Sequence, residues 1–451
     1  RVGKMRISPQ RPGATDRSTN PAEAMPSGYG QTPPPTVDAD ALEQLCDRSA
    51  TRVPLPAPGS LGKKTKSVST STRKGQKKSP VPRDKRFVFQ DEARRTMVFY
   101  GRMKRMQYPQ NIHRVAKCGR HRIYKTNYVD IHYSPSHEAA HYGGLIQCGS
   151  PWACPVCSAK LAERRREEIA QGFDHVYMSG GKMMMVTLTF PHTAFDKVGD
   201  LLPKQAAALK KLRGTRAWQK VKQEHGLRHM IRSLEITHGD SGWHPHTHEA
   251  WWVDKDADAE ALREQITEHW ARACRKVGLL KPGSEDDFAA HAVHVVDNAT
   301  SSAYLQKQDQ EYTWGCDREL AGGGSKVSKG KHPFALLEAS AAGDTNAQFL
   351  FVEYALATKG KAQIYWSQGF KAEAGVNDKT DEELVEEQEE DAVRVVSLSP
   401  IQWEKVLEES ARGEILTLAE DEGFIGIARW FRDRDMAEPD RPKSPPPESP
   451  P

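Results

Sequence analysis

The stretch "MIRSLEITHGDSGWHPHTHEAWWV", residues 230–253, has two runs rich in apolar, β-branched or aromatic residues on either side of a short glycine-containing turn. This pattern predicts two strands joined as a β-hairpin. Alternate residues of a strand point to the same face, so we expect His244, His246 and His248 to lie together on one face of the second strand. Glu235, on the first strand, is expected to reach the same face.

Helical and strand patterns alternate on both sides of this hairpin. The β-branched run 182–192 ("KMMMVTLTFPH") predicts a buried strand, and residues 291–296 predict another. Helices are predicted from their apolar periodicity at 157–173, 202–224, 256–278 and 298–310. The order β, α, β, β, α, β, α around a hairpin predicts an α+β fold, with a largely antiparallel central sheet flanked by helices.

The composition divides the chain into further segments. Low hydrophobicity and an abundance of Pro, Ser, Thr, Gly and Lys predict disorder at both ends. We expect a disordered basic arm at 1–88, a cysteine-rich, zinc-binding module with a helix at 89–178, a catalytic core at 179–320, a linker and C-terminal extension of the core at 321–375, an acidic linker at 376–398, a small helical module at 399–436 and a disordered tail at 437–451.

The charge and hydropathy of the chain limit its location and its partners. Hydrophobic residues make up 37% of the sequence and charged residues 28%, and no run approaches the ~18 apolar residues of a membrane span. The first residues lack the apolar core of a secretory signal, so we expect a cytoplasmic protein with no membrane partner. The basic run 63–86 is typical of a nucleic-acid contact, although a solvated tail is an equal alternative for that segment alone.

Four of the seven cysteines are spaced in a way that suits a metal ion. Cys154 and Cys157 form a CxxC pair, Cys148 lies close by, and Cys118 lies upstream. Four thiolates in a closed tetrahedral shell are typical of structural Zn²⁺. Free or redox-active thiols are the alternative, and the fourth ligand is open: His121, His137 or His141 could replace Cys118. Cys46, Cys274 and Cys316 are interpreted as ordinary thiols.

The histidine strand admits three interpretations. The histidines could be ordinary polar strand residues, a catalytic zinc site with three His ligands, or a divalent-metal site with two His and a carboxylate, suited to phosphodiester chemistry. Glu235 favours the third. Tyr304, in "SSAYLQK", is the best candidate for a nucleophile, and Lys307 lies one helical turn further on, where it would neutralise phosphate charge.

Five motifs, in this order along the chain, resemble those of HUH endonucleases, and more closely the rolling-circle replication initiator (Rep) proteins of bacterial plasmids. They are "CGSPWACPVCSAK", "VTLTF", "LEIT" followed by "HPHTH", "AYLQK" and "EYALATKGKAQIYWSQG", and the resemblance covers roughly residues 90 to 375. It implies an HUH nuclease core at 179–320, in which His246, His248 and Glu235 hold Mn²⁺ or Mg²⁺.

The resemblance also implies a reaction and its partners. Tyr304 would attack a phosphate of single-stranded DNA at a plasmid origin, forming a 5′-phosphotyrosine link and freeing a 3′-OH for primer extension. A second transfer would rejoin the displaced strand. Single-stranded DNA, duplex origin DNA, and a host helicase and polymerase would be the partners.

Some residues depart from the family pattern or leave alternatives open. Thr247 stands where the family has a bulky apolar residue, and Thr300 stands where some relatives carry a water-activating glutamate. Tyr312 is a weaker second candidate for the nucleophile. Trp243, Trp251 and Trp252 could stack on unpaired bases or belong to the core. An HUH relaxase or transposase, or a non-enzymatic zinc-dependent DNA-binding regulator, are the alternative functions.

Overall fold

The computed structural model describes residues 83–104, 113–123, 126–300, 332–386 and 391–441. In chain order, its first elements are α1 (Arg83–Met103), β1 (Val129–Ser134), β2 (Ala139–Gly143), α2 (Pro155–Met178), β3 (Lys182–Leu188), α3 (Val198–Arg213), α4 (Arg216–Glu224), β4 (His229–Gly239), β5 (Gly242–Val253), α5 (Ala259–Lys276), α6 (Glu285–His291) and β6 (Val293–Val296). After residue 331 follow α7 (Ala335–Ala341), α8 (Thr345–Ala357), β7 (Ile364–Trp366), α9 (Phe370–Glu373), α10 (Asp381–Glu386), β8 (Val393–Leu398), α11 (Pro400–Glu408), α12 (Arg412–Asp421) and α13 (Gly423–Arg432).

The larger sheet is antiparallel and has the strand order β6-β3-β5-β4-β7. The predicted hairpin forms its centre: β4 and β5 pair along their whole length, from His229 opposite Trp252 to Gly239 opposite Gly242. Strand β3 pairs with β5 only as far as Thr247, so Pro245 lies where β5 has a single partner strand, a position that tolerates the missing N–H. The predicted α+β class with antiparallel sheets and helices is therefore confirmed.

The strand period of two divides this sheet into two different faces. On one face, Val186 and Trp251 pack in a core with residues of α3, α5 and α8. On the other face, Met185 and Trp252 pack against α2.

The three tryptophans of the hairpin belong to these cores. Trp243, Trp251 and Trp252 are at most 2% exposed, so the interpretation that they stack on unpaired bases is wrong. Their burial removes a large apolar area from water and so stabilises the sheet.

A second sheet joins distant parts of the chain. Its strand order is β2-β1-β8, and Ile131 on β1 lies opposite Val396 on β8. Helices α12 and α13 cover it through an apolar cluster that includes Ile415 and Phe431. Residues 393–398, expected within an acidic linker, thus form a strand, and residues 399–436 share their core with residues 129–145 rather than packing on their own apolar positions.

Two helix boundaries also differ from the expectation. Residues 202–224 form two helices, because Thr215 caps the second one by accepting a hydrogen bond from the Trp218 N–H (3.0 Å). Helix α1 begins at Arg83, within the segment expected to be disordered, where the Arg83 guanidinium pairs with Glu420. Residues 301–310 of the predicted helix 298–310 lie outside the described residues.

No helix in the described part of the chain is both long enough and apolar enough to cross a bilayer.

Candidate metal centres

The hairpin register brings one carboxylate and two imidazoles together. Glu235 lies directly opposite His246, and His248 lies between Ser233 on β4 and Thr187 on β3. Cross-strand pairs share a face of the sheet, so these side chains project to the same side. The alternation read from the sequence therefore produces a cluster of three candidate metal ligands on the central strands.

The distances in this cluster suit a divalent ion. The Glu235 Oε2 atom lies 3.0 Å from the His246 Nε2 atom and 3.0 Å from the His248 Nε2 atom. Neighbouring ligands of an octahedral ion with bonds of ~2.1 Å are about 3.0 Å apart. His246 is 7% exposed and His248 6%, so the ligand atoms are largely shielded from water. Glu235, His246 and His248 fit a metal ion.

The outer nitrogens of both imidazoles are held by the protein. The Nδ1 atom of His246 lies 3.2 Å from the His244 carbonyl oxygen, which can only accept, so Nδ1 carries the proton and Nε2 presents its lone pair. The Nδ1 atom of His248 lies 2.8 Å from the Thr187 hydroxyl, which can accept in the same way. Such outer contacts fix the tautomer and ring orientation of metal-binding histidines.

His244 has a different role from the other two histidines. Its Nδ1 atom lies 2.7 Å from the Nε2 atom of His192, whose own Nδ1 donates to the Ser241 carbonyl (3.0 Å). Burial, followed by the neighbouring imidazoles of His246 and His192, lowers the pKa of His244 to about 3. The three residues whose ligand atoms converge are Glu235, His246 and His248, so the geometry favours two histidines and a carboxylate over three histidines.

Sequence reasoning did not find every residue near this cluster. His332 was not singled out, because it follows a glycine- and lysine-rich segment without periodicity. Burial lowers the pKa of His332 to about 4, and the Glu235 carboxylate acts in the opposite direction, which places the two groups within electrostatic range. Thr187 could have been found, because it lies in the "VTLTF" strand at a position that alternates with the core residues.

The predicted nucleophile, Tyr304, lies outside the described residues, as do Lys307 and Tyr312. Thr247, which departs from the family pattern, is 1% exposed, and its hydroxyl donates to Glu249 (3.4 Å).

Removing the Thr187 hydroxyl should weaken metal binding without changing a ligand. We expect Thr187→Val to lower the affinity for Mn²⁺ about 10- to 100-fold, the usual effect of losing an outer-shell partner. Titration calorimetry on the purified protein would measure it. The control is Thr189→Val, since Thr189 lies just beyond the end of the same strand and its hydroxyl donates to the His291 carbonyl (3.5 Å) rather than to a candidate ligand. Equal affinities of the two variants would contradict the role assigned to Thr187.

Four thiols form a second candidate site. The Sγ atoms of Cys118, Cys148, Cys154 and Cys157 all lie within 4.8 Å of one another. The Cys118–Cys157 and Cys148–Cys157 sulfur distances are 3.4 and 3.7 Å, close to the ~3.8 Å between sulfurs of a tetrahedral site with 2.3 Å bonds. Although burial acts to raise it, hydrogen bonds from the other three thiols lower the pKa of Cys154. The donor set fits Zn²⁺, and Cys118 occupies the fourth position.

Polar side chains from distant elements support these thiols. The Gln90 amide lies with its Nε2 atom 3.4 Å from the Cys118 sulfur and 3.2 Å from the Cys154 sulfur. Its Oε1 atom accepts from Arg412 (2.7 Å), a residue only 1% exposed that also pairs with Asp91 (2.7 Å). Gly119 has a φ of +60°, and a Cβ there would lie 2.9 Å from the Gln90 oxygen, so glycine is needed next to Cys118. The Arg412 guanidinium thus holds the Gln90 amide in the orientation that places its Nε2 atom against the two sulfurs.

The fold and the two sites define an α+β protein with a candidate two-histidine, one-glutamate metal centre on its central hairpin and a candidate four-thiol site beside the sheet. Two known proteins are similar to part of it. One is a protein named Rep from Streptomyces lividans, 33% identical over 150 residues, which cover 27% of this chain and 33% of the relative. The other is named neomycin resistance protein, from Streptomyces cyanogenus, 33% identical over 149 residues, which cover 28% of this chain and 34% of the relative.

The similarity is partial. The chain spans about a third of the length of the curated relatives it matches. No family model matches the chain, and no solved structure matches it.

Proposed function

We propose that this protein is a rolling-circle replication initiator of the HUH endonuclease class, which nicks single-stranded DNA at a plasmid origin and rejoins the displaced strand. The observation that carries the proposal is the convergence of Glu235, His246 and His248 within 3.0 Å contacts on one hairpin. The similarity to a protein named Rep supports a replication-related role.

The protein side chains define what the centre would do. Two Nε2 lone pairs and one carboxylate oxygen would hold Mn²⁺ or Mg²⁺, leaving open positions for oxygen ligands. A bound divalent ion supplies Lewis-acid polarisation of a phosphate oxygen. The hydrogen bonds at the two Nδ1 atoms keep both imidazoles in the ligating tautomer, and burial limits competition from water.

The chain geometry around Tyr304 is compatible with its role as nucleophile. The Ala299 N–H donates to the Met183 carbonyl (2.7 Å), and Met183 lies four residues before Thr187, or ~13 Å along β3. The five residues from Ala299 to Tyr304 can span up to ~17 Å. The described chain resumes at His332, where the Glu235 carboxylate acts to raise the imidazole pKa against the larger effect of burial. The end of the described chain at Ala299 is thus attached to the face of the sheet that bears the ligands.

The proposed reaction is a transesterification. The Tyr304 phenolate oxygen forms a bond to phosphorus, and the bond from phosphorus to the 3′-oxygen breaks. The 3′-oxygen takes up a proton, which leaves a 5′-phosphotyrosine and a free 3′-OH. Lys307 would neutralise phosphate charge. Attack by a 3′-OH on the phosphotyrosine reverses these bond changes and rejoins a strand, with no external energy source.

The remaining parts of the chain have proposed roles in this reaction. The four thiols would hold structural Zn²⁺, which links the loop at 113–123, the segment around Cys148 and the start of α2 into one unit. The basic segment 63–86 would contact origin duplex DNA through its phosphates, which positions the protein without specifying sequence. A host helicase and polymerase would act on the freed 3′-OH.

Cleavage of a labelled single-stranded origin oligonucleotide in Mn²⁺ tests the proposal. We expect the wild type to cleave it, excess chelator to stop cleavage, and His246→Ala to reduce the rate by ~10³-fold or more, because the ion is lost from the reacting phosphate. The control is His291→Ala, since the side chain of His291 is 76% exposed and lies on α6, outside the ligand set. Cleavage that persists in chelator would contradict the proposal, and binding without any cleavage would favour the non-enzymatic regulator.

A further inference from the structure

One large apolar side chain, on a loop that contacts the hairpin of the candidate metal centre, is almost fully exposed. Phe195 lies in the loop between β3 and α3 and is 95% exposed. Isolated exposed apolar residues are common on protein surfaces and need no explanation by themselves. This one differs because the loop that carries it is attached to the hairpin of the metal ligands.

Several contacts fix the loop to that hairpin. His192, three residues before Phe195, contacts His244 (2.7 Å) and Ser241 (3.0 Å) on the hairpin. A Cβ on Gly242 would lie 2.8 Å from the Ala194 Cα atom, which shows how closely the loop backbone approaches the turn. Within the loop, the Asp196 carboxylate accepts from the Thr193 N–H (2.7 Å) and hydroxyl (2.9 Å). Phe195 is therefore held out on a constrained turn.

Three exposed lysines lie near the turn that carries Phe195. Lys197, Lys204 and Lys281 are all exposed. Burial acts to raise the pKa of Asp196, but the hydrogen bonds from Thr193 and the positive charges of Lys281 and Lys204 lower it overall, which places both lysines within electrostatic range of the turn. The Asp196 carboxylate is engaged by Thr193. Asp200, on the first turn of α3, and Asp240, on the hairpin turn, are exposed acidic residues of the same region, so its charge is mixed.

An exposed aromatic ring with lysines nearby, on a loop that contacts the hairpin of the candidate metal centre, has the chemistry of a single-strand binding surface. Unpaired bases stack on aromatic side chains, and lysines contact the flanking phosphates. We propose that Phe195 is a stacking platform for one unpaired base of the strand held at the metal centre, with Lys197, Lys204 and Lys281 as its phosphate contacts. The three residues from His192 to Phe195 span at most ~10 Å, and His192 contacts His244, whose ring lies 4.8 Å from that of the ligand His246. The inference rests on the proposed function for its occupant, single-stranded DNA.

Binding measured without added Mn²⁺ or Mg²⁺ tests the platform separately from cleavage and leaves the zinc site intact. The fluorescence anisotropy of a labelled single-stranded oligonucleotide of mixed sequence, titrated with full-length protein at fixed salt, gives the affinity. We expect Phe195→Ala to bind roughly 5- to 150-fold more weakly than wild type, the equivalent of one lost base stack. Phe195→Trp should retain the affinity, since it keeps an aromatic face. Met178→Ala is the matched control, because Met178 is 89% exposed on the end of α2.

The outcomes separate the platform from the nicking reaction. Affinities of wild type and Phe195→Ala within twofold of each other, or no single-strand binding by wild type, would overturn the platform. If Phe195→Ala loses affinity while the wild type fails to cleave, the platform stands and the nicking reaction fails. If the wild type cleaves and Phe195→Ala binds normally, the nicking reaction stands and the platform fails.

Photocrosslinking gives a second, independent readout. With a 5-bromouracil oligonucleotide, we expect irradiation of the wild type to yield a crosslinked peptide that contains Phe195. A crosslink that maps only to other peptides would overturn the assignment.

Discussion

Tyr304→Phe is expected to form no covalent adduct with single-stranded origin DNA and to cleave it at least ~10⁴-fold more slowly than wild type. Removal of a nucleophile has effects of this size because the remaining groups cannot supply the missing bond to phosphorus. The variant keeps the ring and loses only the hydroxyl oxygen. The measurement is the fraction of labelled oligonucleotide that migrates with the denatured protein, followed by mapping of the modified peptide.

Tyr312→Phe is the matched control for this prediction. It removes the same hydroxyl from the second candidate tyrosine, and we expect its adduct to form at the wild-type rate. An undiminished adduct in Tyr304→Phe, or an adduct that disappears only in Tyr312→Phe, would show that the nucleophile has been misassigned.

Cys157→Ser is expected to abolish zinc binding and to destabilise the fold strongly. Structural zinc sites contribute on the order of 10 kcal/mol of apparent binding free energy to folding, so loss of even half of it should lower the melting temperature by ~10 °C or more. Loss of packing around the thiols should add to the destabilisation, because the thiols are buried in the same apolar cluster as residues of α1 and α2. Zinc content by elemental analysis and calorimetric melting would measure both effects.

Cys274→Ser provides the comparison, because Cys274 is fully buried on α5 but lies outside the thiol cluster. It places a hydroxyl in an apolar site, at a cost of ~1–3 kcal/mol, and should leave the zinc content unchanged. Equal melting temperatures for the two variants, or full zinc content in Cys157→Ser, would contradict a structural metal at the thiols.

The hairpin and its ligand face could be predicted because they depend on local rules. A period of two sets which residues share a face, and a two-residue turn between paired glycines sets the register, so Glu235 opposite His246 follows from the sequence. The CxxC spacing of Cys154 and Cys157 is equally local.

The identity of the fourth ligand depends on pairing between distant segments, so the sequence left it open. The Gly119 N–H donates to the Ile146 carbonyl (2.8 Å), and the Ile146 N–H donates to the His121 carbonyl (2.8 Å). These bonds bring Cys118 beside Cys148, although 30 residues separate them in the chain. Nothing in the local pattern distinguishes Cys118 from the nearby histidines.

The contribution of the C-terminal region could not be predicted for the same reason. Strand β8 pairs with β1 across more than 250 residues of sequence, and its short apolar run adjoins an acidic segment that resembles a linker. Arg412 reads as an ordinary helix residue, yet it is buried against Gln90 at the thiols. Tertiary pairing, rather than local propensity, determines both positions.

Glu235, His246 and His248 are proposed to bind one divalent ion, and the proposed reaction depends on that ion. The most direct test is pulsed electron paramagnetic resonance of the protein loaded with Mn²⁺, which detects nitrogen nuclei coordinated to the ion. We expect coupling to two imidazole nitrogens in the wild type and to one in His246→Ala or His248→Ala, with the His291→Ala spectrum unchanged. Bound Mn²⁺ without nitrogen coupling, or coupling that neither ligand variant alters, would contradict the account.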